Sequence, residues 1–106
     1  MTNPNTPLFE VMTPLNFTVR TSSEYWQKIL MKHPDLANRL EDVKIALEAP
    51  SEIRRSQQSQ DIFLFYSFER LDRWVVAVAK RLNGDGFLIT AYRTDAIKEG
   101  EEIWHR

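Results

Sequence analysis

The chain has 106 residues, with 14 basic and 15 acidic side chains, a formal net charge of −1 and no cysteine. That length suits one domain with one core, and the near-neutral balance excludes a general nucleic-acid coat protein, which would be strongly basic. Any RNA contact must therefore be a local patch. Without cysteine there is no disulfide, thiolate metal site or cysteine nucleophile, and a reducing, cytoplasmic location is expected. Met1 to Pro14 lacks the basic start and apolar run of a signal peptide. No apolar stretch approaches the ~20 residues of a spanning helix, so no membrane partner is expected.

In chain order, Met1 to Pro14 holds Pro4, Pro7 and Pro14. Proline removes a backbone donor and fixes φ, so residues 1–14 read as an extended or flexible arm on a single domain of residues 15–106. Leu15 to Arg20 alternates apolar and polar, the period of a half-buried strand. Thr21-Ser22-Ser23-Glu24 reads as a capping box, with Thr21 as N-cap of a helix from about Ser22 to Lys32. Pro34 then suits the first turn of a second helix, whose apolar stripe is Leu36, Leu40, Val43 and Leu47 and which Pro50 ends.

Everything after Pro50 reads as sheet. Ile53 to Ser56 is a short strand. Ile62 to Tyr66 is apolar on both faces, as a central strand is. Trp74 to Lys80 is β-branched, Asn83-Gly84-Asp85-Gly86 is a hairpin signal, and Phe87 to Tyr92 returns. The acidic end, Asp95 to Arg106, carries Ile103-Trp104, an apolar pair that must dock to be worth ordering. The fold class expected is α+β: N-terminal helices packed on an antiparallel sheet.

Residues 50–93 hold seven basic against five acidic side chains, and the segments on either side are net acidic. The sheet half therefore carries the only basic excess. Within it, Lys80 interrupts an apolar strand. Period-2 geometry puts Trp74, Val76, Val78 and Lys80 on one face, and Leu88, Thr90 and Tyr92 on one face of the return strand. A three-residue loop of Gly84 to Gly86 would set Lys80 opposite Thr90 and Val78 opposite Tyr92, joining a cation, a hydroxyl and a phenol. A two- or four-residue loop would set Lys80 opposite Ile89 and break the cluster. Alternatively Lys80 simply ends the strand and reaches water. Arg54-Arg55-Ser56 places a basic pair beside a hydroxyl, and only one of the two arginines can face a given site. His33, at the break between helices, is either a capping residue or a titratable group able to reach the sheet. Glu41-Asp42 and Glu101-Glu102 are adjacent pairs that diverge, which argues against paired-carboxylate chemistry. Two histidines and no cysteine make no standard zinc site, so neither a metal nor a cofactor is expected.

His33-Pro34-Asp35, then Ala46-Leu47-Glu48-Ala49-Pro50-Ser51-Glu52-Ile53, a strand ending in Lys80, Ile89-Thr90-Ala91-Tyr92 and Ile97-Lys98-Glu99-Gly100 follow one another in an order that resembles a known group. These are small phage and cyanobacterial proteins of the barnase–EndoU–colicin–RelE-like nuclease superfamily. The similarity spans roughly residues 15–104. It implies N-terminal helices on a sheet of about four antiparallel strands, and a metal-independent endoribonuclease, toxin-like or phage-derived, that leaves a cyclic phosphate. It implies catalytic roles for His33, Lys80, Thr90 and Tyr92 and a site position for Arg54; with the adjoining Arg55 and Ser56, Arg54 is expected on the substrate. The partners expected are RNA, an antitoxin or inhibitor protein, and a second copy in a homodimer.

Two other readings compete with the enzyme. One is a non-catalytic module of the same fold that binds RNA or protein. The other is a small interaction or oligomeric protein whose acidic tail covers a basic face or keeps the chain in solution.

Overall fold

The computed structural model describes residues 7–97 and 99–106. Among them are seven strands: β1 (Phe9–Met12), β2 (Thr18–Thr21), β3 (Glu52–Arg55), β4 (Ile62–Arg70), β5 (Arg73–Leu82), β6 (Asp85–Thr94) and β7 (Glu101–His105). Two helices, α1 (Ser23–Lys32) and α2 (Leu40–Glu48), flank a 3-10 turn at Pro34–Leu36. The strands form one sheet in the order β1-β2-β6-β5-β4-β3-β7.

This corrects the expected fold. The chain does not begin with helices on a four-stranded antiparallel sheet; two strands precede α1, and β2 runs parallel to β6 with Val19 opposite Gly86 and Arg20 opposite Phe87. The sheet is mixed. Two short segments account for the difference. Phe9–Met12, within the stretch read as an arm, pairs antiparallel with β2 from Phe9↔Thr21 to Met12↔Thr18 and buries Phe9. Glu101–His105 pairs with β3, which leaves Ile103 and Trp104 half-buried and Glu99, Glu101 and Glu102 exposed. The first six residues of the expected arm lie outside the described residues. The Ile62 strand is interior, between β5 and β3. No helix among the described residues is long and apolar enough to cross a membrane.

The N-cap of α1 is Ser22, whose hydroxyl accepts from the Tyr25 N–H at 3.1 Å. Thr21 is held in β2 opposite Phe9, so the cap falls one residue later than the capping-box pattern predicts. One sheet face carries both helices. Trp26, Ile29, Leu36, Val43, Ala46 and Leu47 form a core there with Phe63, Phe65, Val75, Ala77, Ala79, Leu88 and Ala91. The alanines on the central strands make a low floor on which a helix can lie close. The opposite face has a smaller core of Leu64, Tyr66, Val76 and Val78, against which Ile62, Trp74, Ile89, Tyr92 and Ile97 pack. No helix covers it. Instead the connection from β6 to β7 crosses it, because those strands are third and last in the sheet order and Ile97 lies on this core.

A charged network ties the helix layer to the sheet. Arg93 donates to both Glu69 oxygens, at 3.1 and 2.7 Å, and Arg39 at the start of α2 donates to Glu69 Oε1 at 2.8 Å and to Asp42 at 3.2 Å. Paired, bidentate arginine contacts of this kind are the strong class of ion pair. The hydrogen bonds from Arg93, and the charges of Arg39, Arg93 and Arg70, hold the Glu69 carboxyl below the ordinary range.

Two measurements check this packing. Gly86 has no room for a side chain, since a Cβ there would stand 2.7 Å from the Thr18 carbonyl oxygen and 2.8 Å from the Phe17 ring. Gly86→Ala should cost about 1–3 kcal/mol in denaturant unfolding; a loss under roughly 0.5 kcal/mol, ordinary for a surface change, would show that β2 is not held this closely. For Glu69, the native state takes up the proton less readily than the unfolded chain. Its stabilisation is complete above about pH 4.3 and is lost as pH falls through the lowered native value. Denaturation midpoints should therefore drop below about pH 4.3, and less steeply in Glu69→Gln; equal slopes would remove Glu69 from the account.

Candidate functional site

The helix-free face gathers most of the candidate residues, by a register the sequence did not fix. The β5–β6 turn is the pair Asn83-Gly84, both at positive φ (53° and 87°), the left-handed conformation that two-residue hairpin turns favour. Neither pairing weighed from the sequence, Lys80 with Thr90 or with Ile89, occurs; Lys80 stands opposite Phe87. A β-bulge at Ile89 then shifts the pairing by one, so that Val78 faces Thr90 and Val76 faces Tyr92. An extra residue in one strand resets side-chain parity. Lys80, Thr90 and Tyr92 thus share one face, but Lys80 lies one alternate position beyond the Val78–Thr90 pair, about 7 Å along the strand.

Thr90, Tyr92 and Ser56 line one cavity of about 360 Å³, together with Tyr66, Thr94 and Glu99 among others. Its floor is the small core of the helix-free face, and its rim is the β6–β7 connection. Burial pushes the Tyr66 and Tyr92 hydroxyls above the ordinary phenol range; they hydrogen-bond to each other, and the Glu99 backbone also bonds to Tyr66. Both therefore stay protonated at physiological pH and are unable to act as bases. Arg54 projects to this face opposite Leu64, but its guanidinium is engaged by Glu52 and by the Gly100 carbonyl at 2.7 Å. It pins the connection that bounds the cavity. Arg55 turns to the helix side, with its guanidinium 5.7 Å from the Phe63 ring centroid.

Lys80 lines the adjoining cavity of about 540 Å³ with Arg20, Tyr25, Phe87 and Ile89. None of the ion pairs among the described residues involves it. His33 is half-buried where α1 ends. It lines a third cavity with Tyr25, Ile89 and Thr90, and its ring centroid is 6.3 Å from that of Tyr92. Tyr25 and Ile89 separate the Lys80 and His33 cavities, and the Tyr25 hydroxyl donates to the Ile89 carbonyl at 2.7 Å. Six of the seven candidates are therefore strung along one face, with Arg54 tied into the scaffold, and Arg55 lies on the other face.

Sequence reasoning missed the rest of that face. Phe68 is 55% exposed and stacks edge-on to Trp74 at 6.0 Å, beside a turn whose Leu71 is 82% exposed. Arg70 and Arg73, at the same hairpin end, are direct cross-strand partners that alternation from Trp74 turns to the helix side. Like charges so placed repel, and only Arg70 has an acidic neighbour, Glu69 at 3.7 Å. Strand parity alone could have grouped Phe68, Trp74 and Tyr66. Among the described residues no three His, Asp or Glu side chains come together as metal ligands. Compared with family models, curated proteins and solved structures, the chain matches none.

The tyrosine pair yields a prediction. Native pKa values raised above the unfolded value leave stability intact below about pH 10; it falls as pH rises beyond that, because the unfolded chain ionises first. In alkaline absorbance titration, Tyr66→Phe and Tyr92→Phe should each remove a phenol that ionises late, with or after unfolding. Loss of an early-titrating phenol in either variant would show that the pair is open to water.

Proposed function

We propose that this chain binds single-stranded RNA along the helix-free face of its sheet. The observation that carries the reading is the run of rings and cations on that face. Arg20, Phe87 and Lys80 lie at one end, His33 and Tyr92 in the middle, and Phe68 and Trp74 at the other. Trp74 and Lys80 are six residues apart on β5, about 20 Å, enough for several nucleotides of extended chain. Aromatic faces that stack bases beside cations that track phosphates are the ordinary chemistry of single-strand binding, at ~1–3 kcal/mol per stacked base. The net charge of −1 confines the attraction to this face.

A second reading, cleavage without a metal, is favoured by one observation: His33 and Thr90 share a cavity and His33 lies against Tyr92. The motif order that resembles the nuclease superfamily points the same way. In that chemistry the 2′-oxygen bonds to the adjacent phosphorus as the bond to the 5′-oxygen breaks, giving a cyclic phosphate and a free 5′-hydroxyl. His33 would take the 2′-hydroxyl proton and return it to the leaving oxygen. Thr90 and Tyr92 would donate to the phosphoryl oxygens. Lys80, a cavity away, would hold a neighbouring phosphate.

The test is a labelled single-stranded oligoribonucleotide in EDTA, followed by anisotropy and by gel. Binding should weaken with salt at a logarithmic slope of about −2, as for roughly three phosphates. Lys80→Ala should weaken it severalfold, and duplex RNA should bind poorly. Absent binding at low salt would defeat the proposal. Cyclic-phosphate products lost in His33→Ala would select cleavage; intact RNA with retained binding would select the non-catalytic module.

A further inference from the structure

The cleft beside Lys80 is built differently from the rest of the face. Glu10, Arg20, Phe87 and Lys80 are successive cross-strand partners, Glu10↔Arg20, Arg20↔Phe87 and Phe87↔Lys80, so they form one straight row across β1, β2, β6 and β5. Three strand spacings, about 14 Å, separate its acidic and basic ends. Between them the Arg20 guanidinium lies over the Phe87 ring at 5.1 Å, and Asp85 anchors that guanidinium at 3.2 Å. Phe87 is nevertheless 38% exposed.

β2 and β6 are bridged only through Val19–Gly86 and Arg20–Phe87, and the cavity of about 540 Å³ reaches past them to Thr21, Ser22 and Ile89. That volume is in the range of small-ligand sites. Thr21 also borders it, but pairs with buried Phe9 and alternates with Arg20, so its hydroxyl faces the helix-side core. Ser22, also in the wall, is the N-cap of α1, so the positive end of that helix dipole lies at the cavity.

We infer that this cleft is a pocket for a single nucleotide, one that prefers a base bearing an amino group. The inference rests on the RNA reading above and names the part of the ligand that reads sequence. The base stacks on the Arg20–Phe87 pair, as unstacked bases do on guanidinium and aromatic planes. The phosphate sits at Lys80, the cation without an ion-pair partner. Glu10, an acceptor only, takes a hydrogen bond from the base at the far end of the row. Cytosine offers an amino donor where uracil offers a carbonyl oxygen, so the two pyrimidines differ at the atom Glu10 can read.

The experiment is calorimetric titration of the protein with CMP, UMP and cytidine, beside binding of the single-stranded oligomer. CMP should bind roughly tenfold tighter than UMP. Glu10→Gln should level the two, because an amide can donate as well as accept. Lys80→Ala should weaken CMP severalfold and leave cytidine unchanged. If the oligomer binds while CMP and UMP do not, or bind equally in the wild type, the pocket inference is overturned and the RNA reading stands. If CMP is preferred while the oligomer does not bind, the pocket stands as a mononucleotide site and the RNA reading falls.

Discussion

The close approach of β2 to β6 at Gly86 is the constraint on which the rest depends. A glycine is needed there because the Phe17 ring and the Thr18 carbonyl occupy the space of a side chain. That contact carries the β1–β2 pair onto the sheet in a parallel arrangement and extends it past β6. It aligns Arg20 with Phe87 and, through β6, with Lys80. The bridging stops after two residue pairs, and a few residues further on the Tyr25 hydroxyl donates to the Ile89 carbonyl. The gap between is the cleft. The bulge at Ile89 then returns Thr90 and Tyr92 to the face that Lys80 occupies. A pairing slip of one residue would send them to the helix side.

The two faces of the sheet solve different problems. The helix side buries the larger apolar core and closes its charged rim with the Glu69–Arg93–Arg39 network, where each cation has an acidic partner. Such groups hold structure and have little left for a ligand. The helix-free side is closed only by the β6–β7 connection, which Ile97 seats on the small core and Arg54 pins through Gly100. Lys80 on that side enters none of the ion pairs among the described residues, and Phe68, Leu71 and Phe87 stay exposed. On the proposed reading, Lys80 beside these rings would suit an anionic, aromatic partner.

Much of this was legible in the sequence because period and turn chemistry are local. The strands from Ile62 onward, the hairpin at Asn83-Gly84 and the stripe of α2 follow from alternation, positive-φ residues and helical spacing. The four-strand sheet did not survive, because Phe9–Met12 and Glu101–His105 are too short to declare themselves and become strands only when a neighbouring edge satisfies their backbone. The parallel β2–β6 pair was hidden for a related reason: a long-range contact that depends on one missing side chain leaves no periodic trace. The shared face of Lys80, Thr90 and Tyr92 was reached from a three-residue loop, whereas the protein uses a two-residue turn and a bulge. Arg54 and Arg55 were equivalent in the sequence; the register alone separates them.

The most direct test of the RNA-binding account is an amide chemical-shift map of the isotopically labelled protein titrated with a short single-stranded oligoribonucleotide. The account predicts saturable shifts along Trp74 to Lys80, Phe87 to Tyr92 and Arg20, with α2 and the Glu69 network undisturbed. Shifts confined to the helix side, or none at low salt, would contradict it.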